Sequence, residues 1–289
     1  MPHSQCHRYD PAMIEPRHRL AEALRDAIAC AEDAHDDRSL PHLHAASRML
    51  RETLPHAPIQ VDIISGRVFK SGCPVPVSRA ELAVVILLAL KEYGLSGEEL
   101  GDALYPDADA CDGLNAVKVT IFRVRRRIGI PNTVRFRSGR YSLGEPVEVE
   151  LRRIERSLRR WRTTAIFDSA DRDALERLRL RLIPSRPPFM QNWTWFQSTE
   201  RWLRELYREV TTLIARDALR TDRLERAIEL AGDLAETDPL DEAAAEIGIR
   251  GFLRLGDRTS ALVAYHRYAV NIRRELSLSP PQTISALLS

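Results

Sequence analysis

The chain lacks a strong excess of either charge. Its 289 residues include 43 lysines and arginines and 41 aspartates and glutamates, so the formal net charge is only +2 at pH 7. A uniformly basic chain is therefore excluded, and any surface that binds a polyanion must be local. Long apolar runs are also missing, since no stretch reaches the roughly 18 residues of a membrane span. We expect no membrane partner.

Cysteine is scarce, and its four copies are scattered: Cys6, Cys30, Cys73 and Cys111. Without a C-x-x-C pair they predict neither a zinc site nor a disulfide framework. The segments "HSQCH" and "HLH" are rich in histidine, but no carboxylate or cysteine completes a ligand set at a fixed spacing. We therefore expect no metal and no cofactor. The segment "MPHSQCHRYDPAM" has no apolar core of a secretory signal, so we expect a cytoplasmic protein.

The length predicts about two domains, and changes in hydrophobic periodicity suggest their limits. Residues 1–14 are expected to be a disordered tail, and residues 15–56 carry apolar positions at helical spacing that predict a helical hairpin. Residues 57–144 mix strand and helix patterns, whereas residues 145–289 are helical almost throughout.

The segment 57–144 begins with β-branched residues interrupted by Ser65-Gly66 and by Ser71-Gly72, which predicts short strands joined by tight turns. Two capping boxes follow, in which Ser78 precedes Glu81 and Ser96 precedes Glu99 by three residues. Each box predicts the start of a helix. The first of these helices is apolar on more than one side, so we expect it at the centre of the core.

The same segment ends in a predicted β-hairpin, residues 134–143, that turns at Ser138-Gly139. Alternation places Val134 and Phe136 inward and the intervening arginines outward. Three helices followed by a hairpin is the order of a winged helix-turn-helix domain, in which the hairpin is the wing.

The third helix of this segment, "LNAVKVTIFRVRRRIG", combines a buried apolar stripe with an unusual outward face. On a helical wheel, residues 114–128 place Asn115, Val119, Phe122 and Arg123 on or beside the side opposite the stripe. A charge run on a helix is usually a solvated face. A face that mixes arginine with exposed valine and phenylalanine, however, is suited to base edges in the major groove of double-stranded DNA.

The remaining polar and basic residues of the helix and the wing are predicted to contact DNA phosphates or to act through the wing. These residues are Lys118, Thr120, Arg125, Arg126, Arg127, Arg137 and Arg140.

The helical remainder contains a repeat. "LRTDRLERAIEL" and "LRLGDRTSALVA" are offset by 34 residues, which aligns Leu219 with Leu253 and Ala227 with Ala261. That period is the signature of tetratricopeptide (TPR) helical pairs. The predicted fold class is therefore mainly α with a small β component: a winged helix-turn-helix domain followed by a TPR-like all-α domain.

No catalytic constellation accompanies these helices, so we expect no enzyme. Stacked helical pairs offer a concave surface for a protein partner, for self-association or for a small ligand. An adaptor or ligand-sensing scaffold whose winged helix no longer binds DNA therefore stays open beside a DNA-binding regulator.

The motifs "SRAELAVVILLAL", "LSGEELGDALYPDADACDG" and "VRFRSGRYSL" resemble the response-regulator-type winged helix of bacterial antibiotic-regulatory-protein (SARP) activators. The segment "ETDPLDEAAAEIGIRGFLRLGDRTSALVAYHRYAVNIRRELSLSP" resembles the bacterial transcriptional activation domain that follows it in those proteins. The resemblance implies a sequence-specific transcriptional activator with base contacts at Val119 and Arg123. It also implies a homodimer on direct DNA repeats.

The resemblance also makes the loop before the third helix a candidate contact for RNA polymerase through Asp107 and Asp109. The residues alone favour a simpler role, in which Asp109 or Asp112 caps the helix. The chain departs from the family pattern in two places, because Arg140 precedes Tyr141 where a glycine is usual and Tyr105 replaces a frequent tryptophan. No receiver domain and no P-loop accompany these motifs.

Overall fold

A computed structural model describes most of the chain from residue 59 onward, together with a few isolated earlier positions. The continuous described ranges, with the single residue 190, are 59–144, 147–164, 167–183 and 193–288. The predicted tail 1–14 and helical hairpin 15–56 lie outside these ranges. The chain divides into two compact units, Met1–Arg152 and Arg153–Ser289.

The described part of the first unit contains two small sheets around three helices. In chain order its described elements are β1 (Ile59–Asp62), β2 (Arg67–Lys70), β3 (Cys73–Pro74), α1 (Arg79–Leu90), β4 (Leu95–Ser96), α2 (Gly97–Leu104), α3 (Ala110–Ile128), β5 (Val134–Arg137), β6 (Arg140–Leu143) and β7 (Val147–Val149). One sheet has the order β3-β2-β1-β7 and the other has the order β4-β6-β5. The predicted short strands, three helices and hairpin are confirmed.

Strand β7 differs from the sequence prediction, which made the chain helical from about residue 148. Val147–Val149 instead pairs in parallel with β1, in a register that joins Ile59 to Val147 and Val61 to Val149. Val149 is buried beside the buried strand residues Ile59 and Val61. The sheet of the first unit therefore continues past the predicted boundary at residue 144, because β7 completes its edge.

Helix α1 forms the centre of the first unit, as its sequence predicts. All residues from Glu81 to Ala89 are buried, so the helix has no solvated stripe. Ser78 and Glu81 form the predicted capping box: the Ser78 amide donates to Glu81 Oε2 at 2.6 Å, and the Glu81 amide donates to Ser78 Oγ at 3.3 Å. The second predicted capping box, Ser96 with Glu99, is also present at the start of α2.

The carboxylate of Glu81 also links α1 to α3. It is buried, and its oxygens lie 3.0–3.1 Å from Nε of Arg127 near the end of α3. Burial by itself raises the pKa of Glu81, but the hydrogen bonds from the Ser78 amide and Arg127 outweigh it and lower the pKa. The ionised carboxylate is thus the form that the fold stabilises.

The second unit is built from helices. Its described elements in chain order are α4 (Glu150–Thr163), α5 (Ser169–Leu182), a 3-10 turn (Thr194–Phe196), α6 (Gln197–Arg220), α7 (Leu224–Thr237), α8 (Glu242–Arg254), α9 (Arg258–Leu276), α10 (Gln282–Ser285) and a final 3-10 turn (Ala286–Leu288). Helix α4 begins three residues before the division.

The 34-residue repeat is present as two helical pairs. Helix α6 ends at Arg220 and α8 ends at Arg254, while α7 begins at Leu224 and α9 begins at Arg258, so both boundaries recur at the predicted offset. The aligned residues Ala227 and Ala261 are fully buried. Their small side chains let neighbouring helices approach closely. Helix α5 packs on α6 and supplies the further layer that two repeats require.

A buried aspartate ties three elements of this unit together. Asp217 of α6 is 1% exposed, and its Oδ2 accepts hydrogen bonds of 2.7 Å from Arg172 of α5 and from Arg223, which precedes α7. Arg220 adds a longer ion pair at 3.9 Å. Since a buried charge is costly unless it is paired, these contacts make the stacking of α5, α6 and α7 interdependent.

No helix in the described parts of the chain is both long enough and apolar enough to cross a membrane. Among the same residues, no three histidine, cysteine or acidic side chains are grouped so that they could hold a metal ion. The segment "HSQCH" lies outside the described ranges.

Replacing Glu81 by glutamine tests the link between α1 and α3. We expect Glu81→Gln to lower the free energy needed to open α1 and α3 to hydrogen exchange by about 1.5–3 kcal/mol at pH 7. The reason is that the charge-assisted contact between Glu81 and Arg127 is lost. The folded state lowers the pKa of Glu81, so this difference is present above the ordinary glutamate pKa and disappears as the pH falls through the lower folded value. Amide hydrogen exchange along α1 and α3 measures it.

The exposed Glu92 provides the matched control for this substitution. Glu92→Gln should leave exchange in both helices unchanged. Equal protection in Glu81→Gln and the unaltered chain would show that the Glu81–Arg127 contact does not stabilise the unit.

Replacing Asp217 by asparagine tests the second unit. Two arginines then lose a buried anionic partner, and we expect the free energy of unfolding to fall by about 3–5 kcal/mol. Tryptophan fluorescence in a urea titration reports this unit, because all four tryptophans lie between residues 161 and 202. Asp222→Asn is the control: its carboxylate pairs with Arg254 at the surface, so its loss should cost less than about 1 kcal/mol. Similar losses in both variants would contradict the assignment.

Candidate nucleic-acid interface

Helix α3 is fixed at both ends by local interactions. The side chain of Asp109 accepts a 2.8 Å hydrogen bond from the amide of Asp112 and caps the start of the helix, as one of the two sequence interpretations predicts. The chain leaves the helix at Gly129, which has a left-handed backbone. Lys70 of β2 then donates to the carbonyl of Ile128 at 2.7 Å. The helix begins at Ala110, four residues before the predicted range 114–128.

The inward face of α3 is the predicted apolar stripe with one polar addition. Val117, Ile121, Val124 and Ile128 are buried. Thr120 is buried as well, only 4% exposed, with its Oγ1 bonded to the carbonyl of Ala116 at 2.8 Å and 3.0 Å from the hydroxyl of Tyr105. The prediction of Thr120 as a phosphate or wing contact is therefore wrong, because its hydroxyl is used inside the domain.

The outward face carries the four side chains that the helical wheel places there. Asn115 and Arg123 are exposed, Val119 is 48% exposed and Phe122 is 63% exposed. Residues at these spacings lie on neighbouring turns of a helix and share one surface. The structure therefore brings together the predicted base-contacting residues.

The basic residues around this face fall into two groups. Three of them have partners inside the first unit: Arg127 binds Glu81, Arg125 Nε donates to the carbonyl of Val134 at 3.0 Å, and Arg140 binds Glu99. The others have no hydrogen-bond or ion-pair partner among the described residues. They are Lys118, Arg123, Arg126 and Arg137. The second group is exposed, and its charge is directed to solvent.

The wing is the hairpin formed by β5 and β6, whose register joins Val134 to Leu143 and Arg137 to Arg140. Ser138 and Gly139 form the predicted turn, and both have positive φ angles, 51° and 78°. Such a turn matches the twist of the strands, and glycine adopts its second position without strain.

Phe136 does not point into the core, contrary to the sequence prediction. It is 55% exposed, whereas Val134 on the same side of β5 is buried. Alternation is preserved, but at Phe136 the described elements of the unit do not bury the inward side of the wing. The ring packs instead against Tyr141, its cross-strand partner, with 4.6 Å between ring centroids.

Arg140, the residue that departs from the family pattern, anchors the wing next to its turn. Its guanidinium donates to the carbonyl of Gly94 at 3.1 Å and to Glu99 Oε2 at 2.8 Å. Gly94 is required there by its positive φ of 69° and by its close approach to the Tyr141 carbonyl, which leaves no room for a Cβ. Arg140 therefore contributes to the position of the wing.

The loop between α2 and α3 leaves Asp107 and Asp109 exposed. Asp109 uses one carboxylate oxygen as the helix cap. Neither side chain is buried, so both are accessible at the surface of the first unit.

The positioning contacts were not predicted from the sequence. Arg127 lies 46 residues from Glu81, Lys70 lies 58 residues from Ile128, and Arg140 lies 41 residues from Glu99. None of these spacings belongs to a helix or a hairpin, so no local pattern announces them. The one signal that the sequence offered for such a contact was Glu81, an acidic residue within the largely apolar run of α1.

Comparison with known proteins adds three findings. The family model described as "Bacterial transcriptional activator domain" matches residues 138–289, more than half of the chain. The solved structure of Mycobacterium tuberculosis EmbR in complex with a low affinity phosphopeptide has a similar fold, with a TM-score of 0.66 and 17% sequence identity. A comparison with curated protein sequences finds no match.

The fold similarity extends over 81% of this chain and 64% of the EmbR chain, so this chain spans less than two thirds of the length of that protein. Since the family model matches more than half of the chain, the chain belongs to the bacterial transcriptional activator domain family.

Proposed function

We propose that this protein is a SARP-type transcriptional regulator, a sequence-specific DNA-binding activator whose helix α3 lies in the major groove. The observation that carries the proposal is the single exposed face formed by Asn115, Val119, Phe122 and Arg123. A major groove about 12 Å wide admits one helix, and side chains in its first turns reach the base edges.

The chemistry of that face suits base edges better than water. Arg123 can donate two hydrogen bonds to the O6 and N7 atoms of guanine, and Asn115 has the amide that pairs with adenine. Val119 and Phe122 would cover thymine methyl groups. Two large apolar side chains side by side on a solvated helix are unfavourable unless a partner covers them.

The unpaired cations supply the expected contacts to phosphate. Lys118, Arg126 and Arg137 have no partner among the described residues, so DNA can take their charge without breaking an existing ion pair. Arg125, Arg127 and Arg140 instead hold α3 and the wing in position. The wing, residues 134–143, would then lie on the adjacent groove or on the backbone.

The other partners follow from the same assignment. Asp107 and Asp109 are exposed in the loop before α3 and form the proposed contact with RNA polymerase. The helical unit is proposed to hold two copies together, so that a homodimer occupies direct DNA repeats. A regulator of this kind acts in the cytoplasm.

A second candidate is a protein-interaction adaptor or a ligand-sensing scaffold. It is favoured by the exposure of Phe122 and by a groove in the second unit. Ile228, Ala231 and Phe252 line that groove on one side and Val263 and Tyr268 on the other. Apolar and aromatic side chains in a groove suit a peptide or a small apolar molecule.

Arg123 and Arg126 form a matched pair for the test. The chain is first used to select bound sequences from random double-stranded DNA, and affinity is then measured on selected and scrambled DNA at several salt concentrations. Arg123→Ala should weaken binding to selected DNA by about tenfold to a hundredfold, because roughly 1–3 kcal/mol of base discrimination is lost. It should reduce the preference over scrambled DNA to the same extent.

Arg126→Ala should behave differently, since its expected contact is a phosphate. It should weaken binding to both DNAs alike and reduce the slope of log affinity against log salt by about one. Unchanged preference in Arg123→Ala would contradict the base contact. Weak, salt-independent DNA binding by the unaltered chain, together with tight binding of a protein or metabolite, would favour the second candidate.

A further inference from the structure

The groove of the second unit has the size of a small-molecule site. Residues of α7, α8 and α9 line it, and its volume is about 330 Å³. Sites for small ligands in proteins have volumes of roughly 300–1,000 Å³. The lining is mostly apolar, with Ile228, Phe252 and Val263 as its bulky apolar side chains. The proposed contacts of α3 with DNA do not involve this groove.

Gly232 widens the groove at a cost to its own helix. It lies in the interior of α7, where glycine destabilises a helix relative to alanine. A Cβ added at Gly232 would meet no atom within 4 Å. At Gly251 of α8, by contrast, a Cβ would lie 2.7 Å from Ile228, so packing inside the unit requires that glycine. The side chain missing at Gly232 therefore serves no contact among the described residues and leaves its space to the groove.

Three hydrogen-bond donors on α9 also line the groove. Tyr268 is only 5% exposed, and its hydroxyl has no hydrogen-bond partner among the described residues. Arg267 is exposed and Asn271 is half-buried, and both also lack a partner there. Asn271 follows Arg267 by four residues and Tyr268 by three, spacings that bring side chains together on a helix. A largely buried hydroxyl without a partner is unfavourable until a bound molecule supplies one.

The charges that line the groove favour an anion. Asp241 is one of them, but its carboxylate is paired with Arg208 at 3.1 Å. Arg267, the other charged lining residue, has no ion-pair partner in the described parts of the chain. Burial raises the pKa of Tyr268, and nearby carboxylates, Glu242 foremost, raise it further, so its hydroxyl remains a donor at neutral pH. Three donors beside an apolar surface are complementary to a carboxylate on an apolar body.

We propose that this groove binds a small carboxylic acid with an apolar body, such as a medium-chain fatty acid. Arg267 and Asn271 donate to the carboxylate, the Tyr268 hydroxyl is the third donor, and the apolar body lies along α7 at Gly232. This site goes beyond the proposed DNA-binding function and gives the groove of the second candidate its ligand class. Its test uses no DNA, so its failure leaves the assignment of α3 untouched.

Calorimetric titration of the full chain with octanoate, octanol and octylamine tests the site. The three probes share an apolar tail and differ in the charge of the head group. Octanoate should bind saturably at one site and at least about tenfold more tightly than the other two, because only a carboxylate pairs with Arg267 and accepts several hydrogen bonds. Equal affinity for octanol and octanoate overturns the role of the donors.

Two substitutions test the donors separately. Arg267→Gln should weaken octanoate binding by about tenfold to a hundredfold and leave octanol binding unchanged, because a charge-assisted hydrogen bond is lost. Tyr268→Phe removes only the hydroxyl and should weaken octanoate binding by about threefold to tenfold. Arg273→Gln is the control, since Arg273 is exposed on α9 but does not line the groove. An equal loss in Arg273→Gln and Arg267→Gln overturns the site, because any positive charge would then act alike.

Gly232→Leu tests the position of the apolar body. Leucine is a better helix former than glycine, and its Cβ meets no atom within 4 Å, so the melting temperature of the second unit should not fall. Its side chain fills part of the groove, so octanoate binding should weaken by at least about tenfold. Undiminished binding in Gly232→Leu overturns this placement.

The unaltered chain provides the broadest test. Absence of saturable octanoate binding overturns the site, whereas the DNA measurements on Arg123→Ala decide the proposed function separately. Tighter binding of an apolar peptide with a free terminal carboxylate than of octanoate also overturns it, because the groove would then be a peptide site.

Discussion

The orientation of α3 depends on its attachment to the buried helix α1. Apolar packing of Val117, Ile121 and Val124 sets the distance between α3 and the core, but such packing is not directional. The contact of Arg127 with Glu81 is directional, and Glu81 is fixed because it also caps α1. One buried carboxylate therefore determines both where α1 begins and how the far end of α3 is placed.

The lysines and arginines of α3 and the wing have two different roles, which depend on whether each has a partner within the unit. Arginines near the end of α3 and beside the turn of the wing bind a glutamate or a backbone carbonyl, and these contacts hold α3 and the wing in place. Lysine and arginine residues with no partner among the described residues leave their charge for a polyanion. A chain with a net charge of +2 can thus present a local basic surface, because Glu81 and Glu99 neutralise only Arg127 and Arg140 in this region.

The second unit also uses ion pairs for positioning, in this case to align neighbouring helices. Asp217 gathers arginines from adjoining elements in the interior of a helical stack, where a missing partner would leave a buried charge. Small residues such as Ala227 and Ala261 let the helices approach, and the buried ion pairs fix how they are aligned. A groove in this unit is lined mainly by apolar side chains, Ile228 and Tyr268 among them.

The sequence by itself determined the local elements: both capping boxes, the turn at Ser138-Gly139, the 34-residue repeat and the outward face of α3. These features depend on residues close together in the chain, where spacing and periodicity act directly. Tertiary structure alone decided that Thr120 is buried, that Phe136 is exposed, that Val147–Val149 joins the sheet and that Arg127 and Arg140 are paired. Each of those outcomes depends on which distant element covers a side chain or supplies its hydrogen-bond partner, and no local pattern carries that information.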